Sequence, residues 1–205
     1  MKVKRKGKFI SFEGPEASGK SSQIKLIKKY FIKKKIPFLI TREPGGTLLS
    51  EQLRKIILDK NKKISTSEEI LLLMAARYNH IEKVIKPALN NGKIVISDRF
   101  ADSTFVYQGF VNNYGVHNAI HLHKKILKNF LPFKTFLFLI TPQEINLRLK
   151  KRKYDNKYDK INLNFHKKVI AGYKKISYKN KRFVNIKGNQ NIEYIHQEII
   201  KNLKI

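Results

Sequence analysis

The chain has 205 residues, 41% of them hydrophobic, which suits one domain over residues 1–205 and excludes two ordinary domains joined by a linker. It has no cysteine, no run near the roughly 20 apolar residues of a membrane span and no secretory signal, so we expect a cytoplasmic protein without disulfides, thiolate metal sites or a membrane partner. The formal net charge of +29 comes mainly from lysines spread along the whole chain, not from a basic arm or stripe, so we expect no nucleic-acid partner.

Short apolar runs alternate along the chain with segments of helical periodicity. Residues 8–13 predict a first strand, which runs into a glycine-containing loop and then a helix over residues 20–34. A second predicted strand, 38–41, ends at the turn signal Pro44-Gly45-Gly46. The remaining predictions are helices over residues 48–59 and 67–89 and strands over residues 94–97, 134–140 and, more weakly, 183–186.

This alternation predicts an α/β fold, a doubly wound five-stranded parallel sheet flanked by helices on both faces. Ligands of such sheets bind beyond the carboxyl ends of the strands. The polar, lysine-rich interval 150–160 lies between two helical segments, and we expect it to be mobile.

The loop after the first strand carries the strongest motif of the chain. Residues 14–21 match G-x-x-x-x-G-K-[ST] after a strand and at the start of a helix, as the P-loop NTPase fold requires. Backbone N–H groups of such a loop wrap phosphates, and the helix N-terminus favours negative charge. We expect Lys20 to contact the β- and γ-phosphates of ATP and Ser21 to bind Mg²⁺. The predicted ATP-binding residues of the loop are Gly14, Pro15, Glu16, Ala17, Ser18, Gly19, Lys20 and Ser21.

Asp98 and Arg99 follow the third predicted strand. An acid at this position is suited to reach Mg²⁺, and Arg99 would then lie beside the transferring phosphoryl group. Phosphoryl transfer depends on positioning and charge neutralisation, so its acceptor site favours planar cations that grip two oxygens at once. Because lysine fills so many positions of this chain, its eight arginines are more informative about function than its lysines. Arg42, Arg54 and Arg77 fit the acceptor site.

From about residue 9 to residue 173 the chain resembles the thymidylate kinase family of P-loop nucleoside monophosphate kinases. The segments that carry the resemblance are FEGPEASGKSS, TREPGGT with EQLR, LLLMAAR, VIKPAL, ISDRF, STFVYQG and NFHKKVIAGY. The resemblance implies a phosphotransferase that converts dTMP to dTDP with ATP and Mg²⁺, in dTTP biosynthesis. It also implies a homodimer.

The resemblance further implies roles for residues of a dTMP site. Arg54 is expected to hold the acceptor phosphate, and Arg77 and Gln108 to read the thymine edge, where an amide can pair with N3–H and a carbonyl. Family members often stack an aromatic ring on thymine where this chain has Leu73, so weaker base packing is expected. The other implied contacts are Pro44 near the 5-methyl group, Ser103 and Thr104 along the pocket, and Glu16 at the sugar 3′-hydroxyl.

The family divides according to whether its extra catalytic cation lies in the phosphate loop or in a lid over ATP. The loop here contains no arginine, and residues 150–160 fall where the lid is expected, so the resemblance implies the lid type. It assigns Arg148 to the adenine side and Arg152 and Lys157 to the lid. Lys157 departs from the family's arginine, and an ammonium cannot grip two phosphate oxygens as a guanidinium does.

Two other functions stay open. A deoxynucleoside kinase would share the phosphate loop but needs a carboxylate base for a neutral 5′-hydroxyl, for which Glu43 is the candidate. Arg54 and Arg77 favour instead an acceptor that already carries phosphate. A nucleic-acid-stimulated P-loop ATPase would use the positive surface. The histidines form no metal-like pattern, and we interpret four of them as surface or helix-packing residues, namely His80, His121, His123 and His166.

Overall fold

Five strands form one parallel sheet in the computed structural model, which describes residues 7–59, 61–151 and 163–203. In chain order the strands are β1 (Phe9–Glu13), β2 (Phe38–Arg42), β3 (Ile94–Asp98), β4 (Lys134–Leu139) and β5 (Phe183–Lys187). They lie in the order β2-β3-β1-β4-β5, and every neighbouring pair is parallel. The predicted five-stranded parallel sheet is therefore confirmed.

Helices connect the strands and cover both faces of the sheet. They are α1 (Lys20–Lys33), α2 (Leu48–Leu58), α3 (Thr66–His80), α4 (Lys86–Asn90), α5 (Ala101–Thr104), α6 (Val116–Leu127), α7 (Pro142–Lys150), α8 (Leu163–Ser177) and α9 (Ile192–Leu203). Two π-helical segments accompany them, Ile81–Ile85 between α3 and α4, and Phe105–Val111 after α5.

The helix predicted over residues 67–89 is present but is not uniformly α-helical. It contains the π-helical segment Ile81–Ile85, directly before the first turn of α4, where Pro87 lies. Proline has no N–H, and its ring clashes with the carbonyl four residues earlier. A local widening of the helix accommodates such a residue without ending the segment.

Side-chain caps fix where several helices begin. Ser65 accepts a hydrogen bond from the Glu68 N–H, and the Glu68 side chain accepts one from the Ser65 N–H, at the start of α3. Thr141 and Glu144 repeat this capping box at the start of α7. Each cap contributes about 1 kcal/mol and sets the helix start to the residue.

Apolar side chains fill the space on both faces of the sheet. On β1, Ile10 and Phe12 pack with side chains of α1 and α9, whereas Phe9 packs with side chains of α3 and α6. This alternation follows from the two-residue period of a strand. Burying one large apolar side chain contributes roughly 1.5–3 kcal/mol, so the core holds the strand ends in fixed positions.

The carboxyl ends of three strands meet at one edge of the sheet. Phe12 of β1 is paired with Asp98 of β3, which is paired in turn with Arg42 of β2. The phosphate loop, Arg99 and the turn after β2 therefore leave the sheet side by side. Within the part of the chain that the structure describes, no helix has both the length and the apolar character needed to span a bilayer.

Candidate active site

The loop between β1 and α1 depends on glycines with positive φ. Gly14 has φ 136° and Gly19 has φ 99°, values that side-chain-bearing residues rarely adopt. A Cβ on Gly14 would lie 2.3 Å from the carbonyl oxygen of Phe138, so no larger residue fits there. The loop wraps tightly at the N-terminus of α1, whose first turn has no acidic residue. This arrangement favours a bound phosphate.

Lys20 opens α1 and turns back into the loop. Its Nζ donates to the carbonyl oxygens of Pro15 at 2.7 Å and Gly14 at 3.0 Å, and to Ser18 Oγ at 3.3 Å. Burial, and next the neighbouring Arg99 guanidinium, lower the pKa of Lys20 to about 8. All three acceptors are neutral, so the ammonium keeps a positive charge that a phosphate can meet.

Ser21 and Asp98 meet at the edge of the sheet. Ser21 Oγ donates to Asp98 Oδ2 at 3.2 Å. A hydroxyl and a carboxylate are the hard oxygen ligands that Mg²⁺ takes, so this pair fits the ion. No group of three or more His, Cys, Asp or Glu side chains among the described residues is arranged to hold a metal. That is ordinary for Mg²⁺, which keeps several waters and substrate phosphates as ligands.

Arg99 directly follows β3 and reaches the phosphate loop. Its Nη2 pairs with Glu16 at 2.8 Å, and its Nη1 donates to the carbonyl oxygen of Gly14 at 3.0 Å. The hydroxyl of Tyr107 also lies 2.9 and 2.8 Å from the two carboxylate oxygens of Glu16, between which its single proton is shared. Burial acts to lower the pKa of Arg99, but Tyr107 and Glu16, among other neighbours, hold it well above its usual value. Arg99 is therefore a permanent cation beside the loop.

Glu13, the last residue of β1, is a buried acid that was not predicted from the sequence. It is 0% exposed and accepts hydrogen bonds from the Phe100 N–H at 2.6 Å, Ser103 Oγ at 2.6 Å and the Tyr173 hydroxyl at 3.0 Å. Burial, and next the charge of Asp102, raise the pKa of Glu13 to about 7. The available signal was a charged residue at the end of an otherwise apolar strand.

Arg77, on α3, is buried in a polar network. Its Nε donates to Glu43 Oε2 at 2.7 Å and its Nη2 to Thr104 Oγ1 at 2.9 Å. His80 extends the network, with Nδ1 3.0 Å from Glu43 Oε1 and Nε2 2.7 Å from Thr41 Oγ1. The prediction of His80 as a packing residue missed this role, because the contacts join β2 to α3 and leave no local pattern in the sequence.

Gln108 lies beside the same face of α3. Its Nε2 donates to Glu69 Oε1 at 3.1 Å, just as Arg77 donates to Thr104. Glu69, Leu73 and Arg77 follow each other at four-residue steps, so they share one face of the helix. Leu73 is 7% exposed and lies one turn of α3 from both Glu69 and Arg77. The structure therefore brings together the residues predicted for the base.

Arg54, on α2, faces the turn after β2. Its Nη1 donates to the carbonyl oxygen of Pro44 at 2.8 Å. Burial, and next the like charge of Arg42, lower the pKa of Arg54. The more exposed Arg42 pairs with Glu51 at 2.9 Å, and Glu51 also accepts from the Gly46 N–H at 3.0 Å. The turn is thus fastened to α2, while Arg54 forms no ion pair with any described carboxylate.

A cavity of about 390 Å³ lies next to the phosphate loop and is lined in part by Arg148 and Gly188. Arg148, on α7, donates to the carbonyl oxygens of Ala17 at 3.1 Å and Gly188 at 3.0 Å. A Cβ on Gly188 would lie 2.8 Å from the carbonyl oxygen of Ser18, so the chain after β5 packs directly on the loop. The volume lies in the range of small-ligand sites.

Arg152 and Lys157, the cations predicted for the lid, lie outside the described residues. The same holds for most of the predicted interval 150–160, of which the structure describes Lys150 and Lys151. The assignment of these two residues stays a prediction.

In this chain β1 runs into the phosphate loop, Lys20 lies inside the loop, and Ser21 faces Asp98 of the neighbouring strand β3. P-loop enzymes that transfer phosphoryl groups have this arrangement. This chain is a phosphotransferase of that class. The family model described as thymidylate kinase matches residues 12–199, and the chain belongs to the thymidylate kinase family.

Individual relatives extend the match to nearly the whole chain. A thymidylate kinase of Thermoanaerobacter sp. (strain X514) is 42% identical over 200 residues, covering 97% of this chain and 98% of the relative. The thymidylate kinase of Mycoplasma capricolum subsp. capricolum is 42% identical over 197 residues, with 94% and 92% covered. That of Orientia tsutsugamushi is 42% identical over 201 residues, with 95% and 91% covered.

Proposed function

We propose that this chain transfers the γ-phosphoryl group of ATP to the phosphate of dTMP, giving ADP and dTDP, as a step of dTTP biosynthesis. Membership of the thymidylate kinase family supports the reaction. The observation that carries the proposal is the position of Arg54, which donates to the Pro44 carbonyl oxygen in the turn after β2, the strand whose end lies beside Asp98 of β3. A phosphate bound at Arg54 therefore adjoins the phosphate loop.

The donor nucleotide occupies the loop Gly14 to Ser21 and the adjoining cavity in this proposal. Lys20 exchanges its neutral carbonyl acceptors for the β- and γ-phosphates, and Arg148 borders the adenine. Ser21 and Asp98 hold Mg²⁺, which when bound neutralises charge on the phosphates. The cavity beside the loop supports this assignment, because a purine base fits within its volume.

The acceptor occupies the space between the loop and α3. Arg54 binds the phosphate of dTMP, with added positive charge from Arg42 and Arg99. Arg77 and Gln108 pair with the thymine edge. The buried contacts to Glu43 and Thr104 support this role for Arg77, because a guanidinium held by two partners is already oriented before the base arrives. The remaining residues of the proposed site are Glu16, Pro44, Leu73, Ser103 and Thr104.

The transfer is an in-line displacement. An oxygen of the dTMP phosphate forms a bond to the γ-phosphorus while the bond from that phosphorus to the β,γ-bridging oxygen breaks, so that ADP leaves. The attacking oxygen is already anionic at neutral pH, so no strong base is needed. Arg99 and Lys20 neutralise the charge spread over the transferring group.

Three further features belong to the proposal. Arg152 and Lys157 act as cations of a lid, and closure of this lid excludes water. The chain works in the cytoplasm as a homodimer.

Exposed apolar side chains on the adjacent helices α2 and α3 support the dimer, since such surfaces mark protein interfaces; they are Leu48, Leu49, Leu71 and Tyr78. Sedimentation velocity should give about twice the 24.1 kDa of one chain, and a single monomeric species contradicts the dimer.

The alternative of a deoxynucleoside kinase is weakened by the contacts of Glu43, its candidate base. One carboxylate oxygen of Glu43 accepts from Arg77 and the other lies 3.0 Å from His80 Nδ1. Both oxygens are therefore engaged inside the protein and Glu43 is 4% exposed, which disfavours it as a base for a 5′-hydroxyl.

A coupled assay of ADP release separates the candidate functions. ATP and Mg²⁺ are supplied with dTMP, dUMP, dCMP, thymidine or single-stranded DNA as the second component. We expect strong turnover with dTMP and little with dCMP, thymidine or DNA. Turnover with thymidine and none with dTMP would support the deoxynucleoside kinase, and stimulation by DNA alone would support the nucleic-acid-dependent ATPase.

A further inference from the structure

Glu13 is a fully buried acid that the proposed transfer does not use directly. It is the last of the five residues of β1, all of which are buried. A buried carboxylate costs free energy even when it is hydrogen-bonded, so stability alone favours an apolar residue here. Its contacts lead to Arg99.

One oxygen of Glu13 fixes the backbone around Arg99. The Arg99 N–H donates to the carbonyl oxygen of Phe12 at 2.9 Å, and the next N–H, that of Phe100, donates to Glu13 Oε1 at 2.6 Å. Between these anchors Arg99 adopts a left-handed φ of 69°, which costs roughly 1–3 kcal/mol in a residue with a side chain. Without Glu13 the Phe100 N–H would be buried and unpaired, which also costs free energy.

The other oxygen orients the hydroxyls that hold the Arg99 guanidinium. Ser103 Oγ and the Tyr173 hydroxyl donate to Glu13 Oε2, at 2.6 and 3.0 Å. Both hydroxyl oxygens also accept from Arg99 Nη1, at 3.1 and 3.3 Å. The two hydroxyl oxygens also lie 2.9 Å from each other. A hydroxyl has one proton, so when both protons point to Glu13, the oxygen lone pairs face Arg99. The arrangement requires Glu13 in its ionised form, which only accepts hydrogen bonds; with a pKa of about 7, this form prevails above neutral pH.

We propose that Glu13 is a positioning residue for Arg99, fixing its backbone and the two hydroxyls so that its guanidinium spans Gly14 and Glu16 at the phosphate loop. The inference rests on the proposed function, in which Arg99 neutralises charge on the transferring phosphoryl group. Glu13 touches neither substrate and acts through Arg99. Its loss therefore lowers kcat more than it changes KM.

The variant Glu13→Gln tests this role because it keeps the size of the side chain but replaces one acceptor oxygen with a donor. We expect kcat for dTMP phosphorylation to fall by ~10-fold or more, and KM for ATP and dTMP to change by less than ~3-fold, since the lost interaction acts in the transition state. In an Arg99→Ala background the same substitution is expected to change kcat by less than ~2-fold, since coupled residues are not additive.

Two further variants complete the experiment. Glu43→Gln is the matched control, because Glu43 is a buried carboxylate beside a different arginine, Arg77. Its effect on kcat is expected to be the same whether residue 99 is Arg or Ala. Tyr173→Phe removes one oriented hydroxyl with little change of shape, so it reports on the same coupling where Glu13→Gln lowers the yield of folded protein. Its loss of kcat is likewise expected only when Arg99 is present.

The outcomes separate the inference from the function on which it rests. Equal losses from Glu13→Gln, or from Tyr173→Phe, in both backgrounds overturn the positioning role while the reaction stands. Wild-type protein that makes no dTDP overturns the proposed function itself and this inference with it. Losses confined to the Arg99 background, with folding verified by the unfolding transition, support the positioning role.

Discussion

Arg42 and Arg54 are neighbouring cations with different surroundings. Arg42 is paired with Glu51 and 57% of its side chain is exposed, so the contact is a surface ion pair of small free energy. Arg54 is more buried and donates to a backbone carbonyl, with no carboxylate partner among the described residues. Its charge is therefore the more available of the two for an anionic ligand.

Arg54→Lys is predicted to raise KM for dTMP by roughly 10- to 100-fold, because a lysine keeps the charge but cannot grip two phosphate oxygens in a fixed plane. Arg42→Lys is the matched control, and we expect a rise several-fold smaller. Steady-state kinetics with dTMP varied at saturating ATP measures both. Equal effects of the two substitutions contradict the assignment of the acceptor phosphate to Arg54.

The positions of candidate site residues were predictable from the sequence where a local motif carries them. Lys20 and Ser21 lie in the loop motif, and Asp98 ends an apolar strand. Glu43 and His80 were not recognised as partners of Arg77, because their contacts join segments more than thirty residues apart. Such pairings depend on how β2 and α3 pack, which no local pattern records.

At the scale of elements, a buried ion pair joins α5 to the start of β5. Arg182 donates to both carboxylate oxygens of Asp102, at 2.7 and 2.8 Å, and also contacts Thr135 on β4. Asp102 is 1% exposed. Arg182 was counted as informative but was given no role from the sequence, because its partner lies eighty residues earlier in the chain.

Arg182→Met is predicted to lower the free energy of unfolding by about 3–5 kcal/mol, because it leaves the buried Asp102 carboxylate unpaired. The double variant Asp102→Asn/Arg182→Met is expected to lose less than the sum of the two single variants. Urea unfolding of the four proteins measures the coupling. Strict additivity would show that the pair contributes no interaction of its own.

His123, on α6, is a second element-scale case, where burial makes stability depend on pH. Burial, and next the charge of Arg77, lower the pKa of His123 to about 4. The unfolded chain binds the proton near the ordinary pKa of 6.5, whereas the folded chain resists it until about 4. Protons therefore favour the unfolded state as the pH falls through this window, and stability is lost towards acid.

The unfolding free energy of the wild type is predicted to fall relative to His123→Gln by about 2–3 kcal/mol between pH 6.5 and 4. Glutamine keeps a donor for the Phe130 carbonyl oxygen that His123 Nε2 contacts at 3.0 Å. Glu13, whose pKa is raised, acts in the opposite direction as the pH rises from 4.5 towards 7, but it is common to both proteins. Parallel pH profiles of the two proteins would contradict the buried, neutral imidazole.

Element positions were largely predictable, because apolar runs and helical periodicity are local signals. Each strand begins and ends within one residue of its prediction. The π-helical segments were not predicted, since Ile81–Ile85 has the same apolar spacing as an α-helix. The segment directly precedes α4, whose first turn contains Pro87, and a proline within a helix is compatible with a kink or an end as well as with such a widening.

For the whole molecule, the high positive charge and the fold point to different partners. A net charge of +29 attracts any polyanion at low salt. The phosphate loop and Asp98 instead lie at one edge of the sheet, next to a cavity of about 390 Å³ that suits a small molecule. Fold class was accessible from the sequence because strands and helices alternate throughout, whereas oligomeric state depends on surfaces that a sequence does not order in space.

The most direct test of the central claim is transfer of label from [γ-³²P]ATP to unlabelled dTMP, with the product separated by chromatography. The wild-type protein is expected to give labelled dTDP, and Lys20→Ala to give at least ~100-fold less, because an interaction with the transferring group is lost. Label released only as inorganic phosphate, whether or not dTMP is present, would contradict the account.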